Sequence, residues 1–220
     1  MICHEFKGGI GTASRRLADP DGAWIVGALV QANYGSRELL RVDGVPVGQE
    51  IPGSEVPSAW DMERAVDGGD AANAAPSMSA RMGPGGGSII VVVATDAPLL
   101  PHQCARVAQR ASLGLARMGS IASNGSGDIF IAFSTGNRGL GASAVEQDGR
   151  RAIEARFVPD RALSPLFQAT VEAVEAAILN ALLAGRTMTG RDGITAHALD
   201  HGRLVDVMTK YGRGPRAARP

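Results

Sequence analysis

The residues Ser123-Asn124-Gly125-Ser126-Gly127-Asp128 stand immediately before the apolar run Ile129-Phe130-Ile131-Ala132-Phe133-Ser134-Thr135. Glycine has no Cβ, so the backbone at Gly125 can take strained conformations and lets another group approach its carbonyl closely. A serine hydroxyl that attacks the carbonyl of the preceding glycine converts that amide to an ester. Hydrolysis of the ester then frees Ser126 as a new N-terminus. An N-terminal serine carries its own base, since an α-amine titrates at about 7.7–8.0 and can accept the hydroxyl proton near neutrality. Nucleophile and base would share one residue, and no histidine is required. Gly-Ser-Gly is also common in turns, so local chemistry leaves a plain strand-entry turn open.

Other chemistries fail on spacing. Lys7-Gly8-Gly9-Ile10-Gly11-Thr12 has no GxxxxGK[ST] register and so does not read as a phosphate loop. The four histidines (His4, His102, His197, His201) are scattered. His197 and His201 are four apart but lack the glutamate of an HExxH zinc site, so they read as surface residues rather than zinc ligands. No Gly-x-Ser-x-Gly elbow is present. Cys3 and Cys104 form no disulfide framework and read as reduced packing thiols of a cytoplasmic protein. Lysine plus arginine and aspartate plus glutamate number 22 each, so no net field favours nucleic acid or anionic lipid. Arg213, Arg216 and Arg219 make a small basic tail that reads as a solvated end. No uninterrupted apolar run of the ~18 residues a membrane span needs is expected.

The elements that must position Ser126 are legible in the pattern. The chain of 220 residues, 45% hydrophobic, suits one large domain. Residues 23–34 predict a strand buried on both faces, with Arg37–Val42 pairing beside it and a tight turn at Asp43-Gly44 before Val45–Val47. Residues 49–87 read as a loop or insertion with a short helix at Trp60–Val66. Ile89–Ala94 predicts a buried strand, Pro101–Met118 an amphipathic helix, Asn124–Asp128 a turn, and Ile129–Phe133 a further buried strand. Ser164–Leu183 predicts a long helix with Ser164-Pro165 as N-cap and N1 and Gly185 as its C-cap. A last helix is expected around His201–Tyr211. No strand or helix is expected ahead of the glycine-rich block at Lys7. Buried strands with helices outside them indicate a layered α/β architecture.

Several blocks, in order along the chain, resemble the L-aminopeptidase/D-esterase and β-peptidyl aminopeptidase family. They are Lys7-Gly8-Gly9-Ile10-Gly11-Thr12-Ala13-Ser14-Arg15, Val30-Gln31-Ala32-Asn33-Tyr34-Gly35, and the segment from Ser88 through Pro98 and Gln103 to Thr135. Ala176-Ala177-Ile178-Leu179-Asn180-Ala181-Leu182 completes the set. The resemblance implies an α-β-β-α sandwich similar to N-terminal-nucleophile hydrolases. It implies cleavage at Gly125-Ser126, Ser126 as nucleophile, residues 126–220 as the second subunit, and a chain lacking the family's N-terminal region. It implies release of N-terminal residues from short peptides, amides or esters with no metal and no organic cofactor, and a homo-oligomer, a tetramer in the relatives.

Tyr34 matches an active-site tyrosine position and is an oxyanion-donor candidate, with Asn33 a second and Asp96 a third at the place of a family asparagine. Ser164 could be the family's assisting serine, although a helix cap explains it equally well, and Glu172 and Glu175 are carboxylates on the same helix. Glu5 is a candidate to hold a substrate amine. Two alternatives stand beside the peptidase. One is a non-catalytic remnant that binds or oligomerises. The other is an ornithine acetyltransferase-like acyl carrier, disfavoured because those use threonine where this chain has Ser126.

Overall fold

A computed structural model describes residues 1–59, 87–138 and 154–214. The helix expected at Trp60–Val66 and the tail residues Arg216 and Arg219 lie outside the described residues. The elements in chain order are β1 (Ile2–Cys3), β2 (Phe6–Lys7), β3 (Gly9–Arg16), β4 (Ile25–Asn33), α1 (Val47–Glu50), β5 (Ser88–Thr95), α2 (Pro101–Arg117), β6 (Ile129–Ser134), α3 (Ser164–Leu183), β7 (Met188–Thr189), β8 (Thr195–Ala196) and α4 (His201–Lys210).

The central sheet has the order β3-β4-β5-β6. β3, β4 and β5 pair antiparallel, whereas β5 and β6 pair in parallel. A parallel pair cannot be joined by a hairpin, and α2 supplies the crossover. The register fixes two ends of the sheet. Gly9 lies opposite Ala32 and Ala32 opposite Ile89, with Ile90 opposite Ile129. At the far end Arg16 lies opposite Ile25 and Val26 opposite Thr95, while Thr95 lies opposite Ser134.

β5 is built of β-branched residues that suit a pleated surface, and it sends Ile89, Val91 and Val93 into the core. Val26, Ala28, Val30 and Ala32 of β4 face the same way. Over them lie α2 and α3, side by side. The contact is close because small residues line it: a Cβ on Gly11 would stand 2.0 Å from the Ala177 carbonyl oxygen, and one on Gly114 would stand 2.7 Å from that of Val171. This accounts physically for a chain rich in alanine and glycine. α3 spans 20 residues at mean hydropathy 1.4 and is long and apolar enough to cross a membrane. Glu172 and Glu175 interrupt the run, which is why the sequence does not read there as a span. In this fold it is a core helix, with Ala173, Val174, Ala177, Ile178, Ala181 and Leu182 buried.

Five expectations are corrected. β4 and β6 are not buried on both faces: Ile25, Leu29, Ile129, Ile131 and Phe133 are exposed on the side away from the helices. Arg37–Val42 is not a strand; Arg37–Leu39 forms a turn of 3₁₀ helix, with the Arg37 guanidinium buried 4.0 Å over the Phe6 ring. The Asp43-Gly44 turn does form, closed by a bridge between Val42 and Val45. The glycine-rich block is preceded by the β1–β2 hairpin and is itself strand β3. Finally, Ser164 is the first helical residue of α3 rather than its cap, and its C-cap is Ala184 rather than Gly185.

Candidate active site

The Ser126 turn is docked onto the start of β5 by polar contacts of its own short side chains. The Ser126 N–H donates to the Ser123 carbonyl at 2.8 Å, closing the turn through Asn124-Gly125. The Gly127 N–H donates to Ser88 Oγ at 2.9 Å. Asp128 Oδ1 accepts the Ile89 N–H at 3.0 Å and the Ser126 hydroxyl at 2.5 Å, the length of a charge-assisted O–H···O⁻ bond. The nucleophile candidate is therefore held by a carboxylate that is itself fixed to a strand. Gly125 is exposed, and a Cβ built there meets nothing within 4 Å.

Tyr34 follows directly on β4, whose last residue pairs with Ser88. It lines a pocket of about 80 Å³ together with Leu39, Gly87, Gly119, Ile121, Ser123 and Ser126. The tyrosine is 4% exposed, and its hydroxyl has no hydrogen-bond partner among the described residues. Burial raises its ionisation well above the usual phenol range, and the nearby Asp128 pushes it the same way. The group is thus protonated at neutral pH, on a residue that lines the pocket Ser126 shares. Behind it stands His4, fully buried, with Nδ1 2.9 Å from the Ser36 carbonyl. Burial pushes the imidazole down to about 4, against the raising effect of that carbonyl, so His4 is neutral. Burial also pushes the Cys3 thiol up to about 12, which makes it inert. Two glycines let the pocket wall close: Gly35 (φ 91°) packs under the His4 ring, and Gly119 (φ 103°) lies against the Leu39 carbonyl.

The other sequence candidates are placed apart from this pocket or are already engaged. Asn33 Oδ1 accepts the Ile2 N–H at 2.9 Å and ties the N-terminal hairpin to the sheet. Glu5 accepts the Arg37 N–H at 3.1 Å, with its second carboxylate oxygen 4.0 Å from Arg37 Nε, so its charge already faces a cation. Asp96 lies past the opposite end of β5, where it accepts the Ile25 N–H at 2.8 Å. Seven residue-to-residue steps separate the two ends of β5, about 23 Å at ~3.3 Å per step. Ser164 lies at that far end too. α3 runs antiparallel to β3, with Ala181 against Gly11 and Glu172 paired to Arg15 at 3.3 Å, which carries its first residue away from Ser126. Glu172 and Glu175 are used in ion pairs with Arg15 and Arg117. The residue that sequence reasoning misses is Asp128. Its signal is an aspartate two residues after a serine, a spacing at which a short carboxylate can reach back to the hydroxyl.

A profile of peptidase family S58 matches residues 1–196. A beta-peptidyl aminopeptidase BapA from Sphingosinicella microcystinivorans is 45% identical over 213 residues, which is 97% of this chain and 50% of that protein. The chain spans about half the length of the curated relatives it matches. Among solved structures, a Burkholderia sp. beta-aminopeptidase superposes with a TM-score of 0.80 at 48% identity, covering 98% of this chain and 52% of that one. The L-aminopeptidase D-Ala-esterase/amidase of Ochrobactrum anthropi, described as a variant of the N-terminal-nucleophile hydrolase fold, superposes with a TM-score of 0.74 at 39% identity, covering 97% and 51%. The α/β layering built around β3–β6 resembles that fold, with one central sheet and one helical layer among the described residues. With most of its length matched and its sheet superposed at these identities, the chain belongs to peptidase family S58.

Proposed function

We propose that this chain carries the nucleophile of a self-processing serine aminopeptidase. Cleavage of Gly125-Ser126 exposes Ser126, which then takes the acyl group of a short peptide, amide or ester bearing a free amine. The α-amine of Ser126 accepts the hydroxyl proton and returns it to the leaving group. The Tyr34 hydroxyl donates to the tetrahedral oxyanion, and water releases the acyl group. The observation that carries this reading is the shared pocket: Ser126 lines one small cavity with Tyr34, whose buried hydroxyl has no hydrogen-bond partner among the described residues. The family match and the names of the relatives support the substrate class. A homo-oligomer in the cytoplasm belongs to the same proposal.

Intact-mass measurement of the purified protein, with turnover of aminoacyl p-nitroanilides, tests it. Fragments 1–125 and 126–220 with Ser126 as a new N-terminus are expected, and Ser126→Ala should stay whole and inactive. A wild-type chain that stays intact and turns over nothing would fit the binding remnant instead.

A further inference from the structure

Self-processing poses a problem that the free α-amine does not solve. Before cleavage the nitrogen of Ser126 belongs to a peptide bond, its lone pair is delocalised into the Gly125 carbonyl, and it is not a base. Another group must take the hydroxyl proton during the first step. Among the described residues the hydrogen-bond acceptor of Ser126 Oγ is Asp128 Oδ1, at 2.5 Å. The carboxylate is not free to swing, because the Ile89 N–H of β5 donates to the same oxygen. Ser88, the residue before Ile89, holds the Gly127 N–H and so fixes the link between serine and aspartate. His4, which packs on the Tyr34 ring, is fully buried and is not one of the residues that line the pocket Ser126 shares.

We infer that Asp128 is the general base of self-cleavage at Gly125-Ser126, a role that rests on the self-processing reading above. The Ser126 hydroxyl gives its proton to Asp128 as Oγ bonds to the Gly125 carbonyl carbon, and the carbonyl electrons move onto oxygen. Collapse of this intermediate breaks the C–N bond, and Asp128 passes the same proton to the departing nitrogen. The products are a Gly125 ester on Ser126 Oγ and a free α-amine. Water then hydrolyses the ester, its hydroxyl going to the Gly125 acyl group and its proton to Oγ. The aspartate ends as the carboxylate it began as. Two bases therefore act in succession on one hydroxyl: Asp128 until the bond is cut, and the amine afterwards.

The test follows intact mass over time as the full chain refolds from urea. Asp128→Asn retains an acceptor for Ile89 but cannot take a proton. Release of the Ser126 N-terminus should slow by about 100-fold or more, the usual contribution of a positioned base, while the melting temperature stays that of wild type. Formate should restore cleavage in Asp128→Ala in a concentration-dependent way, which a structural role would not give. Hydroxylamine, which cuts esters, should not speed Asp128→Asn, because the ester never forms. Wild-type rates in Asp128→Asn, or a wild-type-like melting temperature in Asp128→Ala with no response to formate, overturn the role of Asp128 and leave self-processing standing. Full rescue of Asp128→Asn by hydroxylamine overturns its place in the first step. A wild-type chain that never cuts overturns the processing reading and this role with it.

Discussion

The imidazole of His4 stands edge-on to the ring of Tyr34, with centroids 4.9 Å apart and planes at 71°. The arrangement needs a neutral ring, since a second N–H would place a charge where Nε2 has no partner among the described residues. Its folded pKa of about 4 lies below the unfolded value of about 6.5. Between those values the unfolded chain binds more protons, so stability is full above pH 6.5 and is lost as pH falls toward 4. About 2 kcal/mol should disappear between pH 7 and pH 5. Urea midpoints at the two pH values check this, and His4→Gln should lose that part of the pH dependence.

Removing the Tyr34 hydroxyl separates chemistry from stability. An orphaned buried hydroxyl costs desolvation and gains no hydrogen bond, so Tyr34→Phe should melt at or above the wild-type temperature. The same change should slow processing and turnover by roughly 100- to 1,000-fold, the loss that follows deletion of one oxyanion donor. Thermal melts beside single-turnover kinetics make the comparison. A matched loss in both would point to a packing role for the ring.

What is legible in the sequence is what local pattern controls. α3 has both ends where Ser164-Pro165 and Leu183 put them, and the β-branched run of β5 needs no neighbour to be read. β3 is hidden because glycine weakens a strand by its own propensity; Gly11 is present because the α3 backbone lies on it. Arg37–Val42 carries strand-like residues, yet burial of the guanidinium on Phe6 bends the chain into a 3₁₀ turn. Ser126 and Tyr34 stand out by family resemblance, and no spacing rule brings positions 92 residues apart in the chain to one pocket. Asp96 and Ser164 are equally plausible by motif. Their separation from Ser126 follows from strand register and helix direction, which are long-range properties of the sheet.

The sheet face opposite the helices makes its own prediction. Thr12, Leu29, Val92 and Ile131 form one row across it, with Ile10, Gln31, Ile90 and Ile129 the next. Leu29, Ile131 and Phe133 are 42–50% exposed, an apolar surface of the kind that promotes association. The 220-residue chain should bind a hydrophobic dye strongly at this face. Leu29→Thr with Ile131→Thr should cut that signal by about half and shift stability by less than about 1 kcal/mol, since both side chains leave water only partly and threonine suits a pleated surface. Dye titration with chemical denaturation of the double variant checks both parts.

Gly11 and Ala177 give the sharpest test of how helix and sheet are packed. The Cβ of an alanine at position 11 would stand 2.0 Å from the Ala177 carbonyl oxygen, 2.7 Å from the Ala181 nitrogen and 2.9 Å from the Ala181 Cβ. Two of these three atoms are helix backbone, so no rotamer change can make room, and α3 would have to lift from β3. Overpacking of this kind costs about 1–3 kcal/mol. Gly11→Ala should lower the urea midpoint accordingly. Gly125→Ala, where a Cβ meets nothing within 4 Å, should leave stability within about 0.5 kcal/mol of wild type. Because β3 pairs with β4 along its whole length, and β4 leads into Tyr34, displacement of α3 in Gly11→Ala should also slow processing. Ala177→Gly, which removes a methyl but not the obstructing carbonyl, should fail to restore either property.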